Sequence, residues 1–135
     1  MTQISTSQFR KTFASLILGG RDMPKKQLGR HILFFSATLA LEPGRSYTEK
    51  ELNEVLETWS SHFGGAFGLD HVTLRRYLVD AGYVSRDSSG STYRLGDAEL
   101  LYSFDDAIRE IDPVALIREA KEERERRKQQ YAKGS

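Results

Sequence analysis

The chain has 135 residues, the size of one ordinary domain, and its 39% hydrophobic and 29% charged composition excludes the collagenous and disordered classes. It contains no cysteine, which excludes a disulfide scaffold, a thiolate metal site and a cysteine nucleophile. No apolar run approaches the roughly 20 residues of a membrane span, and the N-terminus lacks the apolar segment of a secretory signal. We therefore expect a cytoplasmic protein that has no membrane partner.

The net charge of +1 hides an uneven distribution along the chain. Residues 1–45 carry seven basic and two acidic side chains, whereas residues 46–64 carry one lysine and four glutamates. Residues 97–135 are densely charged but nearly balanced, with eight basic and ten acidic groups. This distribution favours a protein with one basic face.

Apolar residues at helical spacing predict the first two helices. The first covers Ser5–Leu18 and stops at the Gly19–Gly20 pair, because two glycines disfavour helix continuation. The second is predicted from Pro24 to Ala40, since proline suits the first helical position. The Pro43–Gly44 pair then breaks the chain into a turn.

The third helix has the strongest local signal. Thr48 followed by Glu51 is the capping-box pattern, and the apolar face behind it consists of Leu52, Val55, Leu56 and Trp59. A glycine-rich loop is expected next, at His62–Gly68. Asp70 then caps a fourth helix, predicted from Val72 to about Ala81.

The remaining chain is predicted as a hairpin followed by two helices. Two β-prone runs, Tyr83–Arg86 and Thr92–Leu95, flank a four-residue turn. A helix is expected over Ala98–Ile111, and Asp112–Pro113 begins a last helix. Its residues 121–135 are polar and are expected to fray.

Together these elements predict one α+β domain, mainly helical, over residues 1–135. Its core, residues 23–96, has the helix, capped helix, helix and hairpin succession of a winged helix. The first helix and the C-terminal helices of residues 97–120 flank this core.

Three stretches resemble the bacterial family catalogued as domain of unknown function 2087. They are Met23–Lys26, Glu42–Leu56 and Asp70–Asp80, and the last continues into Tyr93–Arg94. The resemblance implies a winged-helix fold, which in this family often occurs beside helix-turn-helix domains of transcriptional regulators.

The fourth helix carries the residues that we expect to read DNA. Thr73, Arg75 and Arg76 lie on it, and the planar fork of arginine suits guanine edges and phosphates. The two arginines occupy adjacent sectors, so we expect one to reach DNA while the other pairs with Asp80. The alternative is that both are surface or salt-bridge residues with a structural role.

Five further cations are candidate phosphate contacts. Lys25 and Lys26 begin the second helix, Arg45 precedes the capped helix, and Arg86 and Arg94 flank the hairpin turn. The alternative for the first three is a solvated face, and for the last two it is cross-strand pairing with aspartates.

No catalytic, cofactor or metal site is predicted. His31, His62 and His71 show no ligand spacing, and the carboxylates of residues 49–57 lie on the exposed face of an amphipathic helix. The glycine-rich loop lacks the Gly-Lys-Ser/Thr of a P-loop. We therefore do not expect an enzyme.

The first hypothesis for the function is a transcriptional regulator that binds double-stranded DNA as a homodimer, with Ala98–Ile111 as the dimerising surface. The alternative is a protein–protein adaptor that does not bind DNA. A third possibility, a small-molecule sensor under the glycine-rich loop, rests only on the length of that loop.

Overall fold

The computed structural model describes residues 2–20, 22–96 and 100–134. A short strand, β1 (Thr2–Ile4), leads into helix α1 (Thr6–Gly19), which confirms the first predicted helix. The Ser5 hydroxyl caps α1 by accepting from the backbone N–H of Gln8 at 3.1 Å. Helix α2 (Gln27–Ala37) is shorter than predicted at both ends, because Lys26 is extended and Thr38 ends the helix.

The capping box opens helix α3 (Glu49–Trp59) as predicted. The Thr48 hydroxyl accepts from the Glu51 N–H at 3.1 Å, and the Thr48 N–H donates to the Glu51 carboxylate at 3.0 Å. Strand β2 (Tyr47–Thr48) immediately precedes this helix.

The glycine-rich segment after α3 is helical, so the prediction of a loop was wrong. A π-helical turn (Ser60–Gly64) and a 3₁₀ turn (Gly65–Phe67) continue from α3. The turns end at Gly68, whose φ of 66° is left-handed and suits glycine. Phe67 is buried, which explains the helical backbone: the turns carry this ring back to the core.

Helix α4 (His71–Asp80) is capped by Asp70 and is followed by strands β3 (Val84–Arg86) and β4 (Thr92–Leu95). The hairpin was predicted from sequence. Strand β4 also pairs antiparallel with β2, which gives a three-stranded sheet in the order β2-β4-β3. The hairpin is therefore attached to the start of α3 as well as to the end of α4.

The predicted helix Ala98–Ile111 was wrong. Within its described part, Tyr102–Phe104 forms strand β5 and Asp106–Glu110 forms a 3₁₀ helix, while Ala98 lies outside the described residues. Strand β5 pairs in parallel with β1, so its hydrogen bonds go to residues about a hundred positions earlier. Helix α5 (Pro113–Gly134) begins after Asp112, as predicted.

The core lies around α2, whose last residues and C-cap are buried continuously over residues 31–38. Within it, the His31 Nδ1 and the Tyr83 hydroxyl lie 2.7 Å apart, and burial lowers the pKa of His31. The Trp59 indole N–H donates to the Ser36 hydroxyl at 3.0 Å, which joins α3 to α2. Among the residues described, no helix is long and apolar enough to cross a membrane.

Candidate nucleic-acid interface

A shallow groove runs between α4 and the hairpin. Leu74 and Leu78 are fully buried, so the opposite face of α4 is left to solvent. We call this surface the α4–hairpin groove; its lining residues are Glu49, Val72, Arg75, Arg76, Val79, Asp80, Arg86 and Tyr93. The groove therefore joins three of the predicted DNA contacts, two from α4 and one from the hairpin.

The Arg75 side chain interacts with residues of α3. Its side chain is only 20% exposed, and its guanidinium donates to the Asn53 side-chain oxygen at 2.5 Å and lies 3.3 Å from the Glu49 carboxylate. We predicted that one arginine of α4 would pair with Asp80 on the same helix. The structure instead pairs Arg75 with the neighbouring helix, because its sector of α4 faces α3.

Arg76 occupies the exposed sector of α4. Its side chain makes no hydrogen bond or ion pair with the residues that the structure describes, so its guanidinium is available to a ligand. Thr73 is half-buried, and its backbone N–H donates to the Asp70 carboxylate at 2.7 Å. That hydrogen bond is the main cause that lowers the pKa of Asp70.

The two hairpin arginines, Arg86 and Arg94, differ in the interactions that their side chains make. Arg86 donates from Nε to the Gly90 carbonyl at 3.3 Å and lies 5.8 Å from the centre of the Tyr93 ring. Arg94 is exposed and has no hydrogen bond or ion pair to the described part of the chain. Within the described residues, neither arginine forms the cross-strand ion pair with an aspartate that was the structural alternative for them.

The turn between the hairpin strands is held by one carboxylate. Asp87 accepts from the backbone N–H groups of Ser91 and Thr92 at 2.8 and 3.2 Å, and from the Thr92 hydroxyl at 2.9 Å. These hydrogen bonds, chiefly those from Thr92, hold the pKa of Asp87 well below its usual range. The turn therefore keeps a fixed shape beside the groove.

Besides Arg94, three more of the predicted phosphate contacts lie outside this groove. Arg45 stacks on Tyr47, 4.7 Å from the ring centre, and its guanidinium lies 3.3 Å from Glu51. Lys25 and Lys26 are exposed just before α2. The structure thus brings Arg75, Arg76 and Arg86 together in the groove, whereas Thr73, Arg94 and these three cations do not line it.

Sequence analysis missed the neutral and acidic members of the groove. Val72, Arg76 and Val79 recur at intervals of four and three residues, the spacing of one helix face, and this signal was visible opposite the buried leucines. Asn53 and Glu49 carried no local signal, because their role depends on how α3 packs against α4.

The fold and the groove define a small, mainly helical α+β protein. Within the described residues, no group of three or more potential ligands is arranged to hold a metal ion. The family model described as "Uncharacterized protein conserved in bacteria (DUF2087)" matches residues 21–95, more than half of the chain, and the chain belongs to that family. No curated protein and no solved structure is significantly similar to it.

Proposed function

We propose that this protein is a winged-helix transcriptional regulator that binds double-stranded DNA, with α4 in the major groove and the hairpin beside it. The observation that carries the proposal is the α4–hairpin groove, in which Arg76 and Arg86 line one surface built from a helix and a hairpin. The element order α2-β2-α3-α4-β3-β4 and the sheet order β2-β4-β3 support the winged-helix assignment.

The arginines have different proposed roles, because some are paired with other residues and others are not. Arg76 and Arg94 have no partner in the described structure, so they are free to contact bases or phosphates. Arg75 supports the reader by holding α4 on α3. Because Glu49 and Asp80 also line the groove, the net attraction to DNA is modest and the affinity is strongest at low salt.

A homodimer on two half-sites completes the proposal, because one such module makes few contacts. The apolar side chains exposed near the start of α5 include Leu101, at 53%, and Val114, at 41%. These side chains replace the misassigned helix Ala98–Ile111 as the proposed dimer contacts. We place the protein in the cytoplasm, where its DNA target is accessible.

Fluorescence anisotropy at several salt concentrations tests DNA binding. The ligands are a random duplex pool and the DNA upstream of the protein's own gene. We expect the double variant Arg76→Ala/Arg86→Ala, which removes two arginines that line the groove, to weaken binding and to reduce the salt slope by about 2. The control is Arg118→Ala, which removes an exposed arginine of α5. Equal binding by the double variant and the wild type contradicts this interface, and no binding at low salt contradicts the function.

A protein-interaction module is the second candidate, favoured by the apolar part of the same groove. Val72 is 45% exposed and lines the groove together with Val79 and the acidic residues Glu49 and Asp80. Such a mixed surface suits a protein partner better than a phosphate backbone. If DNA binding is absent, Val72→Asp is expected to abolish partner binding, while Tyr131→Asp, on α5 and outside the groove, preserves it.

A further inference from the structure

A separate cavity of about 400 Å³ lies on another part of the surface, away from the α4–hairpin groove. Its walls come from the end of α2, the second half of α3, the π-helical turn and the residues that lead into α5. The volume lies within the range of small-molecule sites, about 300–1,000 Å³. A π-helical turn in its wall also fits this interpretation, because such turns are frequent at functional sites.

The walls of this cavity are mainly apolar and include two aromatic rings. Trp59 and Phe63 are the aromatic members, with ring centres 5.7 Å apart, and the aliphatic members include Leu39, Val55 and Ile111. The indole N–H of Trp59 is already used by Ser36. The walls therefore offer contact area for a ring but no free donor at this point.

The polar groups that remain at the cavity are acceptors. His62 donates from Nδ1 to the Thr58 carbonyl at 2.9 Å, so in the neutral imidazole Nε2 is an acceptor. Asp112 uses Oδ1 to cap α5, accepting from Val114 N–H at 3.0 Å, and its Oδ2 makes no bond to the described residues. Among the residues that the structure describes, no lysine or arginine lines the cavity.

We propose that this cavity binds a small aromatic amine. Its ring would pack against Trp59 and Phe63, and its ammonium group would donate to the Asp112 carboxylate and to Nε2 of His62. The acceptors and the negative charge select a cationic donor, and the aromatic faces also favour a cation. This inference does not rest on DNA binding.

The fluorescence of Trp59, the single tryptophan of the chain, reports occupancy directly. We would titrate the protein with phenethylamine, phenethyl alcohol and phenylacetate, which share a phenyl ring and carry a cation, a neutral hydroxyl and an anion. Phenethylamine is expected to change the emission saturably, with a dissociation constant on the order of 0.1–1 mM for so small a fragment. The alcohol should bind more weakly and the anion weakest.

Two variants assign this preference to the cavity. Asp112→Asn keeps an oxygen for the α5 cap but removes the charge, and is expected to weaken amine binding at least about tenfold. Asp106→Asn removes an exposed carboxylate that does not line the cavity and should bind like the wild type. Ala40→Phe, which places a ring at the cavity wall, is expected to block all three probes.

Three results would overturn the proposal. They are the absence of a saturable change with phenethylamine, equal binding of the three probes, and an amine affinity that Asp112→Asn leaves unchanged. Circular dichroism of each variant separates these outcomes from misfolding.

Discussion

Arg75 stabilises the packing of α4 on α3, and its removal is the most direct test of that structural role. The guanidinium donates to the Asn53 side-chain oxygen at 2.5 Å and lies 3.3 Å from the Glu49 carboxylate. Arg75→Ala removes both interactions and also the packing of the aliphatic stem. Arg76→Ala, one residue further on, removes an exposed arginine of the same helix and is the matched control.

The expected loss of stability in Arg75→Ala follows from how exposed Arg75 and its partners are. The hydrogen bond to Asn53 involves a charged donor that is 20% exposed, and such bonds contribute about 1.5–3 kcal/mol. Glu49 is 57% exposed, so its ion pair with Arg75 is screened and adds about 0–1 kcal/mol. We expect Arg75→Ala to lower the free energy of unfolding by about 2 kcal/mol and Arg76→Ala to change it by less than about 0.5 kcal/mol.

Urea unfolding monitored by circular dichroism measures both variants. The double-mutant cycle of Arg75→Ala with Asn53→Ala should give a coupling energy between about 0.5 and 3 kcal/mol. Equal stability of Arg75→Ala and Arg76→Ala, or a coupling energy near zero, would refute the structural role. Arg75 would then be as available to DNA as Arg76.

Two further predictions concern the α3 cap and the buried histidine. Thr48→Ala is expected to lower the free energy of unfolding by about 1 kcal/mol, because it removes the cap acceptor, and urea unfolding with Thr58→Ala as control measures this loss. For His31, burial lowers the pKa from 6.5, so the unfolded chain binds more protons just below that pH. Stability should therefore fall as the pH drops below about 6.5, and His31→Gln should flatten this dependence in urea unfolding curves recorded at each pH.

Control variants show whether the losses measured for Thr48→Ala and His31→Gln are specific to those two residues. Thr58 donates its hydroxyl back to the Glu54 carbonyl within α3, so its loss should matter little. For the pH dependence, His62→Gln changes an exposed histidine and should keep the slope of the wild type. A cap effect equal to that of Thr58→Ala, or an unchanged slope in His31→Gln, would contradict the respective prediction.

Local sequence signals were sufficient to predict most of the helices and the hairpin. The capping box at Thr48, the Asp70 cap and the turn residues after Arg86 act within a few residues, so sequence shows them. Strand β5 is different: Leu101, Phe104 and Ile108 recur at intervals of three and four residues, the spacing of a helix face, and this pattern predicted a helix. What makes it a strand is β1, and no local pattern reports a partner so distant in sequence.

In the groove, too, the sequence predicts features that depend on one helix but not features that depend on how two helices pack. That α4 carries two adjacent arginines in different sectors was evident from helical geometry. Which one faces α3 was not, because this depends on the position of Asn53 after the helices pack. The loop predicted for the glycine-rich segment was likewise not found, because burial of Phe67 favours helical turns there.

The pairing of β1 with β5 sets an order for folding during synthesis. Ile4 lies opposite Phe104, so the N-terminal strand has no partner until that residue leaves the ribosome. At about 5–20 residues per second, the wait is on the order of 5–20 s. Helices α1 to α4 and the hairpin have all been synthesised by then, so the β1–β5 ladder forms late. During synthesis, the apolar Ile4 is therefore an exposed feature that a chaperone can bind.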